Sequence, residues 1–223
     1  MPRPRFALPL LACTLSLAMA LGASACSRME SLFMSDDDAS ATIFHEQPHP
    51  QQAYRLTMII ENAPGPFAQV RGAVQYNVKN YRECGRVNPE VGAPTNIVYL
   101  PEHPWRQIAP NVYETTVHAD GMLDEDYYGK GVCHWELRGA SALLRATGDE
   151  RETRFLPAMD YDEIFAEKTK VLYFWKESYP TDSPLPSDGK GFSDLGDPNL
   201  DQVPPERRDE FFAVILSAKK VQP

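Results

Sequence analysis

The sequence is poor in basic residues, and this shortage excludes one class of partner. Among 223 residues there are 22 Lys and Arg against 31 Asp and Glu, which gives a formal net charge of −9. Nucleic-acid phosphates require a basic surface, so we do not expect nucleic-acid binding. The same balance disfavours docking on anionic lipid headgroups and permits a basic partner.

The motifs of familiar enzyme classes are also lacking. Residues 139–143 (GASAL) and 191–195 (GFSDL) do not have the final glycine of a nucleophile elbow. Cys133 and His134 are neighbours in a pattern of period two that predicts a strand, so they point to opposite faces and do not form a nucleophile–base pair. There is no zinc spacing and no phosphate-binding glycine loop. We therefore expect a protein that is not an enzyme and that uses no cofactor.

An acidic turn contains only part of a calcium-loop motif. Asp124, Asp126 and Gly129 occupy positions 1, 3 and 6 of such a loop. Position 12 is Trp135, where a bidentate Glu is required, so the turn is not an EF-hand. A looser calcium site with Asp120, Asp124 and Asp126 is the alternative to a solvated turn. We favour the solvated turn and predict no metal site, because fragments of motifs give many false positives.

The start of the chain has the layout of a secretory signal. Arg3 and Arg5 precede the apolar residues 6–22, and small residues then lead to Cys26. The cleavage point has two interpretations. Ala23-Ser24-Ala25 fits ordinary signal peptidase, which would release a soluble periplasmic protein. Together with Cys26, the same stretch resembles a bacterial lipobox in which Ala23 replaces the usual Leu.

We favour the lipoprotein interpretation, because a cysteine falls at the position where it would be acylated. Residues 1–25 are then the signal peptide and Cys26 is the lipid anchor. Ser27 follows the cysteine, and in proteobacterial lipoproteins a residue other than Asp resembles the default signal for the outer membrane. Acyl chains contribute roughly 0.8 kcal/mol per buried methylene and anchor a protein without a spanning helix. We expect an outer-membrane lipoprotein that faces the periplasm.

The four cysteines favour an oxidising compartment. Cys13 leaves with the signal peptide and acylation uses Cys26, so Cys84 and Cys133 remain as an even pair. We predict a Cys84–Cys133 disulfide, which closes a loop of about fifty residues and contributes roughly 4 kcal/mol in the chain-entropy model. Two unpaired buried thiols are the alternative.

The pattern of the remaining chain is typical of an all-β protein. Residues 26–52 are polar and aperiodic, which predicts a flexible tether after the anchor. From residue 53 onward, alternation of period two and Gly/Pro/Asn turns predict a single-domain antiparallel β-sandwich, immunoglobulin-like or related, with minor helical turns, over residues 53–223. The predicted strands are residues 53–62, 69–79, 95–100, 111–119, 131–139, 142–148, 153–158 and 170–178.

Four segments near the C-terminus are less regular. Residues 160–168 predict a brief helix, and residues 204–210 predict a helical turn that proline starts. Residues 179–203 form a long Pro/Gly/Asp-rich loop of a kind that is often functional or mobile. Residues 211–221 fit either a strand or a helix. We favour a strand, because the apolar run is short and contains Val, Ile and two Phe.

The aromatic residues divide into core and surface candidates. Trp135 lies beside Cys133 on one strand face, and Trp175 belongs to a YFW run, so both are expected in the core. Two adjacent tyrosines in an acidic, glycine-flanked turn cannot both be buried readily, and exposed tyrosines suit a protein interface. The predicted partner-binding residues are Asp124, Asp126, Tyr127, Tyr128 and, as the next candidate, Trp105.

Several stretches of the sequence resemble a group of small lipoproteins from gamma-proteobacteria. They are residues 71–85 (RGAVQYNVKNYRECG), 124–137 (DEDYYGKGVCHWEL), 145–157 and 173–180. Some members are encoded beside type VI secretion lipase effectors and are thought to be periplasmic immunity proteins. The resemblance, which covers most of residues 54–220, implies an inhibitor that binds a secreted phospholipase-type effector and blocks it. An envelope structural or assembly lipoprotein without a toxin partner is the alternative.

Mass spectrometry of the mature N-terminus tests the anchor. We expect the mature chain to begin at Cys26 and to have the added mass of acyl chains, and the Cys26→Ala variant to leave the membrane fraction. A mature chain that begins with an unmodified Cys26 or with Ser27 contradicts the lipoprotein prediction.

Overall fold

Two β-sheets form the architecture of the protein, as a computed structural model shows for residues 42–181 and 191–222. The predicted signal peptide, the predicted anchor Cys26 and the first part of the expected tether lie outside these residues. The strands in chain order are β1 (Ala53–Glu61), β2 (Gln69–Val78), β3 (Val98–Tyr99), β4 (Arg106–Ala109), β5 (Val112–His118), β6 (Trp135–Arg145), β7 (Arg154–Phe155), β8 (Ala158–Asp160), β9 (Thr169–Trp175), β10 (Ser193–Asp194) and β11 (Phe211–Val221).

The longest strand pair of each sheet lies near its centre. This pair is β1 with β11 in sheet 1 and β2 with β6 in sheet 2. Sheet 1 has the order β4-β5-β1-β11-β9 and is antiparallel throughout. Sheet 2 has the order β10-β7-β6-β2-β3, with β8 also paired to β6, and only its β10–β7 pair is parallel. The prediction of an all-β sandwich with minor helical turns is confirmed.

The alternation seen in the sequence explains how the sheets pack. In β1 and β11 every second side chain is buried, so each strand presents one apolar face to the core. Phe155 of sheet 2 contacts Phe174 and Phe212 of sheet 1, with ring centroids 5.6 and 5.2 Å apart. Aromatic contacts of this kind add to the burial of apolar area and hold the sheets together.

The helical segments of the described residues are short, and two of the four, Tyr161–Phe165 and Pro205–Glu210, lie where the sequence predicted helical turns. Helix α1 is Tyr81–Cys84, and α2 is Tyr161–Phe165. A capping box between Asp160 and Glu163 starts α2 within the predicted residues 160–168. Two 3-10 turns follow, Lys176–Ser178 and Pro205–Glu210. Among the described residues, no helix is long and apolar enough to cross a bilayer.

Two predicted strands are one strand in the structure. Strand β6 runs without interruption from Trp135 to Arg145. Gln75 pairs with Gly139 and Tyr76 with Leu137, so Arg138 is the extra residue of a β-bulge. The bulge reverses the inward and outward positions of the strand, and this reversal resembled a strand end in the sequence. The C-terminal segment is confirmed as a strand, since β11 lies between β1 and β9.

The segment expected to form a structureless loop is partly attached to the sheets. Of residues 179–203, positions 182–190 lie outside the described part of the chain. Beyond them, β10 pairs with β7, and Tyr173 and Asp197 exchange two backbone hydrogen bonds of 2.8 Å at the edge of sheet 1. These bonds satisfy backbone groups of an edge strand that would otherwise be open to another chain.

The expected tether also requires a correction from Phe44 onward. The Phe44 ring packs against Trp135 with centroids 4.9 Å apart, and the Gln47 amide donates to the Gly121 carbonyl at 2.9 Å. The amides of Gln51 and Gln52 both donate to the Asp120 carboxylate. Residues 44–52 are therefore docked on the domain, and polar composition alone did not reveal the anchoring role of one phenylalanine.

Truncation of Phe155 tests the core. We expect Phe155→Ala to lower the free energy of unfolding by about 3–5 kcal/mol, because it removes a fully buried ring from the contact between the sheets. The matched control is Leu100→Ala, whose side chain is 59% exposed. Denaturant titration measures both. Equal losses from the two variants would contradict the assigned core.

Candidate functional site

A disulfide joins two loops beyond the same end of sheet 2. Cys84 is the last residue of α1, which follows β2, and Cys133 precedes β6. Their Cα atoms are 5.4 Å apart, and both residues are buried. The predicted Cys84–Cys133 disulfide is confirmed. It links the segment after β2 to the acidic turn before β6, which are 49 residues apart in the chain.

Polar contacts reinforce this link on both sides. Asn80 Nδ2 donates to the Val132 carbonyl at 2.9 Å, and Asn80 Oδ1 accepts from the His134 amide at 2.8 Å. Lys130 Nζ donates to the Gly85 carbonyl at 3.2 Å. One side chain on each segment therefore binds the backbone of the other, and the two segments are positioned as a unit.

The segment after Cys84 forms a projecting arm, residues 85–97. Its two sides are joined by the backbone hydrogen bonds Thr95 N to Arg86 O (3.0 Å) and Asn88 N to Ala93 O (2.8 Å). At the tip Gly92 has φ +65°, a left-handed conformation that suits glycine. The arm is therefore a hairpin-like element with internal bonds and a cross-linked base.

Five exposed aliphatic side chains lie on the arm, directly after it in the chain, or next to Cys133. The exposed fractions are 47% for Val87, 71% for Val91, 43% for Val98, 59% for Leu100 and 45% for Val132. We name the clasped surface as residues 85–100 together with residues 124–132. Single exposed apolar residues are ordinary, but several on or beside two cross-linked segments are typical of an interaction site.

The acids of the turn are used to shape it. Asp124 Oδ1 accepts from the Trp135 amide at 2.9 Å, and Asp124 Oδ2 lies 2.7 Å from His134 Nδ1. Asp126 Oδ1 accepts from the amides of Tyr128 and Lys130 at 3.3 and 3.0 Å. Both residues are better described as supports of the turn than as free contact residues.

The looser calcium arrangement does not form. Asp120 is engaged by the Gln51 and Gln52 amides, while Asp124 and Asp126 are engaged within their own turn. Within residues 42–181 and 191–222, no group of three or more His, Cys, Asp or Glu is arranged to hold a metal ion.

The charge of Asp126 strengthens the turn. Partial desolvation raises the pKa of this carboxyl, but hydrogen bonds from the amides of Gly131, Lys130, Tyr128 and Gly129 outweigh it, so the pKa lies below its usual value. A depressed carboxyl pKa contributes stability above the unfolded-state value, and this contribution is lost as the pH falls through the folded-state value. The turn is therefore held more tightly at neutral pH than in acid.

The two tyrosines have different environments. Tyr127 is half-buried, with its ring 5.3 Å from Phe44 and 6.1 Å from Trp135, and its hydroxyl donates to the Leu123 carbonyl at 2.7 Å. The Tyr127 ring packs against the domain and stabilises the turn. Tyr127 is therefore not the exposed contact residue that the sequence predicted. Its partners are the docked Phe44 and the core residue Trp135, which the sequence pattern does not place near the turn.

Tyr128 retains access to solvent. The guanidinium carbon of Arg86 lies 5.2 Å from the Tyr128 ring centroid, in a cation–π arrangement. The two residues border a shallow groove of about 270 Å³, which Phe44, Ile97 and Val98 also line. Tyr128 therefore remains a contact candidate, now paired with a residue of the arm.

Two predictions about tryptophans are wrong. Trp105 is buried, and its Nε1 donates to the Ser141 carbonyl at 3.2 Å, so it is not a surface contact. It fills space left by Gly72, where an added Cβ would lie 2.6 Å from the Trp105 ring. Trp175 was expected in the core but is 37% exposed, because it lies on the outward face of β9.

The sequence reasoning missed the arm. Residues 86–95 read RVNPEVGAPT, and this aperiodic Pro/Gly segment looked like an ordinary connection. The available signal was the presence of Val87 and Val91 directly after a disulfide cysteine and outside any strand pattern. Single exposed valines are ordinary, but two of them beside a cross-link, in a loop too short to bury them, indicate a contact surface.

Comparisons with known proteins give no family for this chain, so the class of protein is described from its fold and its surface. No family model, no curated protein and no solved structure matches the chain. The protein is a disulfide-linked β-sandwich. Its most distinctive surface is the clasped surface, which has exposed valines on an arm with a cross-linked base.

Removal of the disulfide tests how the clasped surface is held. We expect the Cys84→Ala, Cys133→Ala double variant to lose about 4 kcal/mol of unfolding free energy, from the entropy of the opened loop. We also expect the amides of Asn88 and Thr95 to exchange with deuterium faster, since their hydrogen bonds lie in the arm.

The control for this test is Val132→Ala, an exposed neighbour of Cys133 that leaves the disulfide intact. Unchanged exchange at both arm amides in the double variant would show that the arm does not depend on the disulfide.

Proposed function

We propose that this protein is a binding protein of the bacterial envelope that uses the clasped surface to hold and block a protein partner. The observation that supports it is the set of exposed aliphatic side chains on an arm with a cross-linked base. A rigid base lowers the entropy lost on binding, so more of the contact energy appears as affinity.

The shape of the surface favours a protein over a small ligand. Small-molecule sites are concave and enclose their ligand. Here Val87 and Val91 project outward, and the adjoining groove beside Tyr128 is shallow. A projecting apolar element is suited to enter a cleft on another protein, where a few central side chains provide most of the binding energy.

The charges of the clasped surface favour one kind of protein partner. The clasped surface has four acidic residues, Glu90, Asp124, Glu125 and Asp126, against the two basic residues Arg86 and Lys130, and Arg86 is engaged with Tyr128. His45 Nδ1 lies 2.7 Å from Glu125 Oε2 and holds that carboxylate in place. This net negative charge favours a partner with basic residues around an apolar cleft, and complementary charge increases the association rate.

The partner class comes from the sequence resemblance. Of the stretches that carry the resemblance, residues 124–137 overlap the clasped surface, and residues 71–85 end where its arm begins. The resemblance implies that the partner is a secreted antibacterial effector of the phospholipase type. In this proposal the protein is an immunity protein, anchored through Cys26 to the outer membrane on the periplasmic side, where such an effector acts.

A deletion experiment separates this function from the alternative of an envelope assembly lipoprotein. An immunity protein is required only when the effector arrives, so a deletion strain should grow normally alone and die beside effector-producing neighbours. Envelope defects in the absence of any effector would contradict the immunity proposal and favour an assembly role.

A binding experiment tests the surface itself. The full chain is mixed with a purified effector of the phospholipase type, the partner that the resemblance implies, and the dissociation constant is measured by calorimetry. We expect the Val87→Glu, Val91→Glu double variant to weaken binding at least a hundredfold, because it places two charges at the centre of an apolar contact.

The matched control is Ile108→Glu, which changes a residue that is 43% exposed on the edge strand β4. Near-identical affinities for the wild type and the double variant would refute the clasped surface as the binding site. Recovery of only porins or assembly machinery from the envelope would refute the effector as the partner.

A further inference from the structure

A row of polar side chains crosses the outer face of sheet 2 at the end opposite the clasped surface. Strand β2 begins at Gln69 and β6 ends at Arg145, and these two residues are paired. The arm follows the other end of β2. Strand β2 has 10 residues. At about 3.3 Å for each residue, the row lies roughly 30 Å from the base of the arm.

The strand register extends this row across two more strands. Leu144 of β6 pairs with Phe155 of β7, so the next residues along, Arg145 and Arg154, are neighbours on the two strands. Ser193 of β10 pairs with Arg154. Leu144 and Phe155 are buried in the core, so by alternation both arginines point to the outer face, where they are partly buried. We name Gln69, Arg145, Arg154 and Ser193 the arginine row.

Two cations lie side by side in the arginine row without an acidic partner. Like charges at directly opposite positions of neighbouring strands destabilise a sheet. Five other arginines of the described residues lie within 4.0 Å of a carboxylate oxygen, but neither arginine of the row does. The five are Arg71, Arg106, Arg138, Arg151 and Arg207. The arginine row therefore departs from the way this protein usually pairs its arginines.

The arginine row also contains enclosed polar atoms without a hydrogen-bond partner. Within residues 42–181 and 191–222, four side-chain N or O atoms are buried in this way, and three of them belong to the row. They are Gln69 Oε1, Arg145 Nε and Arg154 Nε. Gln69 is the neighbour of Arg145 alone, so it cannot satisfy Arg154. The Nη atoms of both arginines are not among the enclosed atoms, so they reach solvent.

Two acids close to the row along the chain do not supply the missing partner. The Asp149 carboxylate accepts from Nε and Nη2 of Arg151 at 3.1 and 2.7 Å. Hydrogen bonds from Arg151 are the main reason that the pKa of Asp149 falls to about 2, and the charge of Arg145 adds a smaller effect. Asp194 pairs with the buried Phe155, so it alternates with the row. The guanidiniums of the row are therefore left with solvent in front of their Nη atoms.

We propose that the arginine row binds a phosphate group. Guanidinium forks match phosphate oxygens in both geometry and charge. Two adjacent guanidiniums present their Nη donors to one anion, and the Ser193 hydroxyl is a further donor. A phosphate monoester carries a charge of about −1.5 to −2 at pH 7, which balances both arginines. A carboxylate has a single charge and would balance only one of them.

Calorimetry with inorganic phosphate tests the site on the full chain, at constant ionic strength in chloride. We expect Arg154→Gln to weaken phosphate binding at least tenfold, because it removes one of the two cations that face the anion. The matched control is Arg55→Gln, which removes the same charge from an exposed arginine of β1 and should bind phosphate as the wild type does. Absence of phosphate binding by the wild type, or equal binding by Arg154→Gln, would overturn the proposal.

Stability in chloride separates a binding role from a structural one. We expect Arg154→Gln to unfold at the same or a higher denaturant concentration than the wild type, since it relieves the repulsion between two cations. Phosphate should then stabilise the wild type by mass action and leave the variant unchanged. If Arg154→Gln instead unfolds more easily in chloride, and phosphate stabilises both proteins equally, the row is structural and the proposal fails.

Vesicles distinguish a lipid phosphate from a soluble one. The full chain with Cys26→Ala, which lacks the predicted anchor, is floated with vesicles of phosphatidic acid, whose headgroup is a phosphate monoester. Vesicles of phosphatidylcholine are the control. Flotation with phosphatidic acid that Arg154→Gln abolishes assigns the phosphate to a lipid, and calorimetric binding without flotation assigns it to a soluble compound. Neither binding nor flotation would overturn the proposal, and no result of these experiments bears on the clasped surface.

Discussion

The covalent link between Cys84 and Cys133 is the constraint on which the clasped surface depends. The arm and the acidic turn have little core of their own, and most of their side chains are exposed. The disulfide, the Asn80 contacts and the Lys130 bond to Gly85 hold these segments at the ends of β2 and β6. Without such a base, apolar side chains on a loop would lose affinity to the entropy of ordering.

The β-sandwich gives the two disulfide-linked segments a fixed support. Strands β2 and β6 pair along their whole length and end beside each other, so the residues that follow and precede them are already close. The aromatic contacts of Phe155 with Phe174 and Phe212 fix sheet 2 against sheet 1. The arm and the acidic turn both lie beyond the same end of sheet 2.

Much of the fold follows from the sequence, because alternation of period two requires one buried face for each strand. The disulfide followed from counting cysteines. The bulge at Arg138 could not be predicted, since a reversal of alternation looks the same as a strand end. The docking of Phe44 and the burial of Trp105 beside Gly72 depend on contacts between distant segments, which local patterns do not contain. For the same reason the turn residues Asp124, Asp126 and Tyr127 looked like contact residues, although they support the turn.

The most direct test of the central claim is a hydrogen-exchange footprint of the full chain, alone and with its co-purified partner, because amide protection reports which backbone segments are covered. The account predicts slower exchange on partner binding in residues 85–100 and 124–132, with the strands of sheet 1 unchanged. Protection that spares both of these segments would contradict the claim that the clasped surface binds the partner.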